Sequence, residues 1–255
     1  VVALLQKCTK PVVAIFLGEK PENHEGKVYL AHTLEETARM AVDLANGDPI
    51  KDNYCDPIDY EVSRPLAADK TVKGLYSGGS LAAEAGMLIA EALNLGGLIK
   101  EEGYILKTGG YEVVDLGDDV YTQGKPHPMI DPEVRIKKIL ECAKDPQTGV
   151  ILLDCMLGYG CHPDMAGALA PAIREAQKIA KADGRELYFV ASVCGTRQDP
   201  QDYDRAVAEL KECGVLVEES NARAIRLALK LKGIDYKENT RGHVEAAVDE
   251  TPLPE

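Results

Sequence analysis

A long polar loop carries the side chains of this sequence that are best suited to chemistry. It runs from Gly117 to Asp131, well beyond the roughly two to six residues usual between a strand and a helix. Prolines on both sides of His127 restrict the backbone, which predicts a firmly held imidazole. Such a histidine can be a nucleophile, a general acid or base, or a hydrogen-bond donor to phosphate. The alternative is a histidine that only hydrogen-bonds its own loop.

The same loop contains a lysine and two adjacent acids. Lys125 is a candidate catalytic residue, because its ammonium can stabilise charge that develops on a phosphate, and Arg135 is a further candidate for this role. Asp118 and Asp119 could position Lys125 or bind Mg²⁺ through water, whereas adjacent acids in loops are usually just solvated. His162 and the nearby cysteines form no Cys-x-x-Cys pair, so we predict no metal site there.

Glycine-rich turns follow two strand-like runs and lead into helices. The first turn follows the run 72–76 and consists of Ser77, Gly78, Gly79 and Ser80. The second turn follows the run 150–154 and contains Gly158, Tyr159 and Gly160. Glycines allow the backbone to approach a ligand closely, and the amino terminus of a helix favours an anion. Two such turns predict a phosphate or carboxylate site, although a glycine can also simply make a tight turn.

Composition and charge exclude several classes of function. The 255 residues include 29 Lys and Arg and 42 Asp and Glu, which gives a formal net charge of −13. Without a dense basic cluster we expect no nucleic-acid partner. No apolar run approaches the roughly 18–20 residues of a membrane helix, so we expect a cytoplasmic protein without a membrane contact. The seven cysteines show no paired framework, and four are predicted to be buried thiols: Cys142, Cys155, Cys194 and Cys213.

The hydrophobic periodicity predicts five β–α units that position these residues. The strand-like runs are 72–76, 112–116, 150–154, 187–193 and 215–218, and the helices are 81–95, 132–143, 164–182, 202–213 and 221–231. Short apolar strands joined by helices require right-handed crossovers and a parallel sheet covered on both faces. We therefore predict an α/β fold with a flavodoxin-like, doubly wound parallel sheet of order 2-1-3-4-5, whose ligands lie beyond the carboxyl ends of the strands.

The glycine turns and the long loop resemble the FdrA-like relatives of the acyl-CoA synthetases. The resemblance is carried by Gly74 to Leu81, Val114 to Asp119, Gly124 to Pro132, Ile151 to Asp154, Leu157 to Asp164 and Ser192 to Thr196. More distantly, residues 70–231 resemble the carboxyl-terminal domain of the succinyl-CoA synthetase β subunit. The resemblance implies that the helix after the first glycine turn points at an active-site phosphohistidine and that the second glycine turn contacts substrate. Both turns, with Gly195 and Thr196, are therefore candidate phosphate- or substrate-binding residues. It assigns no role to His127, which lies in a segment peculiar to the FdrA-like group.

The resemblance also suggests a division of the chain. Residues 1–47, with one strand at 12–17 and one helix opened by a Thr33-x-x-Glu36 capping box, are interpreted as the end of a preceding α/β ligase-type domain. Residues 48–69 contain three prolines and are predicted to be a linker. Residues 70–236 would form the succinyl-CoA synthetase-like ligase domain, and 237–255 a polar tail.

The function implied by the resemblance is that of an acyl-CoA synthetase-family enzyme. FdrA-like proteins are associated with oxamate carbamoyltransferase in allantoin and purine catabolism, so the expected ligand is an acyl or carbamoyl phosphate. No cofactor is assigned to this chain itself, and CoA, ATP or ADP and Mg²⁺ are candidates for the complete enzyme. We expect an oligomer with a further amino-terminal domain or partner subunits. The alternative is a non-catalytic binding or assembly subunit of a larger complex.

Overall fold

The computed structural model describes residues 1–18, 26–96 and 101–237, which form two compact units. The first unit is Val1–Asp56 and the second is Pro57–Lys237, so the division falls inside the segment predicted to be a linker. Within the predicted polar tail, residues 238–255 lie outside the described part of the chain.

The described residues of the first unit form two short strands and two helices. They are α1 (Val2–Leu5), β1 (Val12–Ile15), β2 (Val28–Ala31) and α2 (Leu34–Asn46). The side chain of Thr33 accepts a hydrogen bond from the Glu36 N–H at 3.0 Å, so α2 begins where the capping box predicts. The expectation of a single strand is wrong, because β2 pairs in parallel with β1. With only four residues, β2 is too short to show a clear periodicity.

The second unit is built on a six-stranded sheet. Its strands are β3 (Thr71–Tyr76), β4 (Tyr104–Thr108), β5 (Tyr111–Asp115), β6 (Thr148–Met156), β7 (Tyr188–Cys194) and β8 (Val215–Glu218). The spatial order is β4-β5-β3-β6-β7-β8. The last five strands are parallel and follow the predicted order 2-1-3-4-5, which confirms the α/β prediction.

The antiparallel edge strand β4 was not predicted. It pairs with β5 through a two-residue turn at Gly109 and Gly110, whose φ angles of 55° and 85° are in the left-handed region. The two-residue hairpin turn that matches the twist of its flanking strands requires a positive φ angle at both residues. The Gly-Gly pair between two tyrosine-led runs was therefore an available signal for a hairpin.

Helices cover both faces of this sheet. They are α3 (Gly79–Leu93), α4 (Asp119–Thr122), α5 (Glu133–Lys144), α6 (Met165–Ala182), α7 (Tyr203–Glu212) and α8 (Asn221–Leu231). One apolar core joins α5, α6 and α7 to the sheet, and the other joins α3 and α8 to its opposite face. Of the helices in the described residues, none is both long and apolar enough to cross a bilayer. The loops that hold the candidate residues follow the carboxyl ends of the parallel strands.

The segment after Asp56 packs on the second unit. Ile58 is buried in the core formed by α3 and α8, and its carbonyl oxygen accepts a hydrogen bond from Lys230 Nζ at 2.8 Å. The Leu66 N–H donates to the Leu231 carbonyl oxygen at 2.8 Å. Much of the proline-containing segment 57–69 thus belongs to the second unit.

Burial separates the cysteines into three classes, which are buried, partly buried and exposed. Cys155 and Cys213 are buried as predicted, whereas Cys194 is exposed at the end of β7, so that part of the prediction is wrong. Burial raises the pKa of the Cys155 thiol to about 12 and that of the partly buried Cys142 to about 11. The thiolate is the reactive form of cysteine, so both residues should resist alkylation.

Alkylation of the native protein tests this assignment. At pH 8 we expect iodoacetamide to modify the exposed Cys8 and to leave Cys155 and Cys142 unmodified until urea is added. Mass spectrometry of the digested protein measures the modified fraction at each position. Modification of Cys155 as fast as Cys8 in the native protein would contradict the burial of Cys155.

Candidate functional site

The amino terminus of α3 is open. Gly78 is its N-cap, no side chain in the described part of the chain caps the first turn, and no acidic residue lies in that turn. The Ala82 N–H donates to the Gly78 carbonyl oxygen at 2.9 Å, so the three preceding N–H groups have no acceptor within the helix. Those groups belong to Gly79, Ser80 and Leu81, of which the first two are exposed. This turn can therefore receive an anion.

Asp154 fixes the turn that leads into α3. It lies near the end of β6 and is fully buried. Its carboxylate accepts hydrogen bonds from the Ser77 N–H at 2.9 Å, the Gly78 N–H at 2.8 Å and Ser77 Oγ at 3.0 Å. These two N–H groups, expected from the sequence to meet a ligand, are thus engaged within the protein. An anion would contact the next N–H groups along the chain, from Gly79 onward.

Arg135 lies on α5 beneath the same turn. It is fully buried, and its Nη2 donates to Asp154 Oδ1 at 2.9 Å and to the Leu75 carbonyl oxygen at 3.4 Å. Within the described residues, its Nε and Nη1 atoms have no hydrogen-bond partner. The expectation that Arg135 stabilises charge on a phosphate is wrong, because its guanidinium is buried against Asp154. Its role is to neutralise that carboxylate.

The amino terminus of α6 is closed to an anion. Asp164 caps this helix, and its Oδ1 accepts a hydrogen bond from the Gly167 N–H at 3.0 Å. Its Oδ2 forms an ion pair with Arg205 Nη2 at 2.9 Å. A carboxylate therefore already occupies the place where an anion would bind. Of the two helix termini expected to be open, that of α3 is open and that of α6 is not.

The glycine turn before α6 is shaped by its backbone. The φ angles of Gly158 and Gly160 are +130° and +84°, a region that favours glycine. The Gly158 N–H donates to Gln201 Oε1 at 2.9 Å, and Tyr159 is 91% exposed. These observations favour the turn-making interpretation of the two glycines.

Gly195 and Thr196 line a cavity away from the first turn of α3. It has a volume of about 750 Å³ and lies at the carboxyl ends of β7 and β8; none of the described residues that line it belongs to α3. The Thr196 N–H donates to Asp199 Oδ2 at 2.6 Å. A Cβ atom on Gly195 would lie 2.6 Å from that of Leu157, so close packing requires glycine there. These residues are not brought to the α3 terminus.

His127 and Asp115 converge on the turn before α3. A Cβ atom on Gly117 would lie 2.6 Å from His127 Nε2, 2.9 Å from the Ser77 carbonyl oxygen and 3.0 Å from Asp115 Oδ1. A Cβ atom on Gly79 would lie 2.7 Å from Asp115 Oδ2. Glycine at both positions therefore permits the close approach of these polar atoms. We call Asp115, His127 and the first turn of α3 the α3 site.

The hydrogen bonding of His127 selects among its possible roles. Its Nδ1 accepts a hydrogen bond from the Met129 N–H at 3.2 Å. Neutral His127 therefore carries its proton on Nε2, the atom that approaches Gly117 and Asp115. While Nδ1 accepts this bond, Nε2 can donate a hydrogen bond and has no free electron pair. The geometry thus favours a donor to phosphate over a nucleophile.

The long loop is pinned to its neighbour at His162. The His162 N–H donates to the Met129 carbonyl oxygen at 2.7 Å, and His162 Nδ1 accepts from the Asp164 N–H at 3.0 Å. These bonds explain His162 as a structural residue that steadies the segment next to His127. In the described ranges, no group of three or more His, Cys, Asp and Glu side chains could hold a metal ion.

The remaining candidates of the long loop make other contacts. Lys125 is exposed and lines a cavity of about 410 Å³ together with Tyr121 and the α5 residues around Lys137. Asp118 caps the short helix α4, where its Oδ1 accepts a hydrogen bond from the Val120 N–H at 3.0 Å. Asp119 follows in the first turn of α4 and is exposed. Helix capping therefore accounts for the acidic pair.

Sequence reasoning assigned no role in this site to Asp115 or Asp154. Each residue follows two apolar residues near the end of one of the strands that flank β3, in Val-Val-Asp115 and Leu-Leu-Asp154. This repeated pattern was the available signal. Burial raises the pKa of Asp115, and the charges of Asp118 and Asp154 add to the effect, while the Gly117 N–H and His127 oppose it.

Comparison with known proteins finds a family and a relative that this chain resembles. The model of the CoA-ligase family matches residues 75–231, which include the whole α3 site. The uncharacterized protein YahF of Escherichia coli (strain K12) is 35% identical over 238 residues, which cover 87% of this chain and 45% of that protein. The chain thus spans less than half the length of this curated relative.

Proposed function

Because the chain belongs to the CoA-ligase family, we propose that it is an acyl-CoA synthetase-like enzyme component that binds an acyl phosphate at the α3 site. The observation that carries the proposal is the uncapped first turn of α3, with three N–H groups unused by the helix. His127 supports it, because its Nε2 lies 2.6 Å from the position of a Cβ atom on Gly117, and that position lies 2.9 Å from the Ser77 carbonyl oxygen, just before α3.

The geometry suits the departure of phosphate from an acyl carbon. The N–H groups of Gly79, Ser80 and Leu81 would hold the phosphate oxygens, and the positive end of the helix dipole would face them. Negative charge grows on the phosphate as its bond to the acyl carbon breaks. Helix N–H groups and the His127 Nε2–H are fixed donors, which stabilise that charge without reorganisation.

Carbamoyl phosphate is the ligand that we propose within this class. The support is the resemblance of the glycine turns and long loop to the FdrA-like group, associated with oxamate carbamoyltransferase in allantoin and purine catabolism. Under this proposal the chain acts as part of a larger oligomeric enzyme, with further domains or partner subunits. We assign CoA, ATP or ADP and Mg²⁺ to that complete enzyme.

Substitution of Ser80 tests the location of the anion. Ser80 is exposed in the first turn of α3, where an aspartate strengthens a helix through its dipole. We expect wild type to bind carbamoyl phosphate in preference to acetyl phosphate and inorganic phosphate, as measured by titration calorimetry. Ser80→Asp should weaken this binding roughly tenfold or more, by like-charge repulsion, while the Tm stays the same or rises.

The matched control is Ser80→Asn, because asparagine has nearly the same shape as aspartate and carries no charge. It should bind carbamoyl phosphate within a fewfold of wild type. Equal binding by Ser80→Asp would show that the anion lies elsewhere. If wild type binds none of the three phosphates, the alternative of a non-catalytic assembly subunit is favoured.

A further inference from the structure

Asp115 places a carboxylate beside the proposed phosphate contact. Its Oδ2 lies 2.7 Å from the position that a Cβ atom on Gly79, the first residue of α3, would occupy. A negative charge so close to a bound phosphate weakens binding, and the partial burial of Asp115 limits screening by water. A carboxylate in this place therefore needs an explanation other than anion binding.

Formation of a turn accounts for the position of only one of the two carboxylate oxygens of Asp115. Asp115 Oδ1 accepts a hydrogen bond from the Gly117 N–H at 2.8 Å, which fixes the start of the long loop. Oδ2 makes no hydrogen bond to any residue in the described part of the chain, and it faces a glycine that has no side chain to cover it. An asparagine would make the same turn, so the turn does not require a charge.

Acyl transfer requires a proton acceptor next to the acyl carbon. Resting on the proposed function, we propose that Asp115 is the general base, whose Oδ2 takes the proton of the nucleophile that attacks the acyl carbon. The neighbouring groups are unsuited to this role. His127 presents an N–H from Nε2, Asp154 is buried against Arg135, and Asp118 caps α4.

Burial gives the same carboxylate the basicity that the role needs. It raises the pKa of Asp115 above the usual range of aspartate, and the charges of Asp118 and Asp154 act in the same direction. A carboxylate with a raised pKa accepts a proton more readily than an ordinary aspartate does.

The step is balanced without a further reactant. The nucleophile gives its proton to Asp115 Oδ2, and its electron pair forms the bond to the acyl carbon. The bond between the acyl carbon and the bridging phosphate oxygen breaks, and that oxygen keeps the electron pair as phosphate leaves. A thiol and an amide nitrogen both carry the proton that this step requires. The test therefore supplies CoA as the thiol nucleophile and oxamate as the amide nucleophile.

Asp115→Asn tests the role while keeping the turn. Calorimetry measures its affinity for carbamoyl phosphate and acetyl phosphate, and phosphate release measures turnover with CoA or with oxamate. We expect affinity equal to or above that of wild type, because one negative charge beside the phosphate is gone. Release should fall by roughly 100-fold or more. In wild type, release should also fall as the pH drops through the raised pKa of Asp115, and the residual rate of the variant should lack this fall.

Asp131→Asn is the matched control. Asp131 Oδ1 accepts the N–H of Glu133, two residues on, at 2.9 Å, which is the same turn that Asp115 makes with Gly117. This variant should release phosphate at nearly the wild-type rate.

The outcomes separate the two proposals. Release by Asp115→Asn within about threefold of wild type, or loss of acyl phosphate binding in this variant, overturns the role of Asp115 as the base. A wild type that binds acyl phosphate but releases phosphate with neither nucleophile also overturns it and leaves the proposed binding intact. A wild type that binds neither acyl phosphate overturns the proposed function itself.

Discussion

Asp154→Ala is expected to destabilise the second unit by about 3–5 kcal/mol. The substitution leaves the Arg135 guanidinium fully buried without its carboxylate partner. It also removes the acceptor of the Ser77 and Gly78 N–H groups, which are buried as well. Urea unfolding measures the effect as a lower midpoint with an unchanged slope.

A double variant separates the charge from the packing. Arg135→Met combined with Asp154→Leu removes both buried charges together, so it should be more stable than Asp154→Ala alone. Asp154→Asn should lie between wild type and Asp154→Ala, because it keeps one acceptor for the turn. A loss below about 1 kcal/mol in Asp154→Ala would show that the ion pair does not hold this turn.

His127→Ala is expected to lower nucleophile-dependent phosphate release by about 100-fold. The imidazole donates from Nε2, and the loss of this donor removes stabilisation of the leaving phosphate. His127→Gln should recover part of the rate, because its amide N–H can occupy nearly the same position. The main effect should be on kcat rather than KM, since the charge is greatest as the bond breaks.

The glutamine variant distinguishes a donor from a nucleophile or base. A glutamine can donate a hydrogen bond but cannot accept a phosphoryl group or a proton in this step. His127→Gln as slow as His127→Ala, together with phosphate found on His127 by mass spectrometry, would contradict the donor role. His162→Asn serves as the histidine control and should stay within a fewfold of wild type.

The order of the parallel sheet could be predicted because it depends on local apolar runs and on the handedness of their connections. The strands β3, β5, β6, β7 and β8 all have this signal. The edge strand β4 was missed because its Gly-Gly turn was not recognised as a hairpin signal. The helix capping box at Thr33 was predictable because it involves only residues within one turn.

The partners of the glycine turns could not be predicted in this way. Local sequence identifies a turn that favours glycine, but it does not show which distant carboxylate accepts its N–H groups. Asp154 reaches Ser77 only because β6 lies beside β3 in a particular register. The burial of Arg135 had a local signal, because the apolar Ile139, which is fully buried, follows four residues later on the same face of α5.

The pairing of β3 with β6 has a consequence for folding. Thr71 pairs with Thr148, and the carboxylate that holds the Ser77 N–H lies 77 residues further along the chain. Contacts between such distant residues must overcome a large loss of chain entropy, so they slow folding relative to that of helical proteins. During synthesis, one edge of β3 therefore stays unpaired until residues 148–154 have left the ribosome. In that interval the unpaired edge exposes the nascent chain to aggregation.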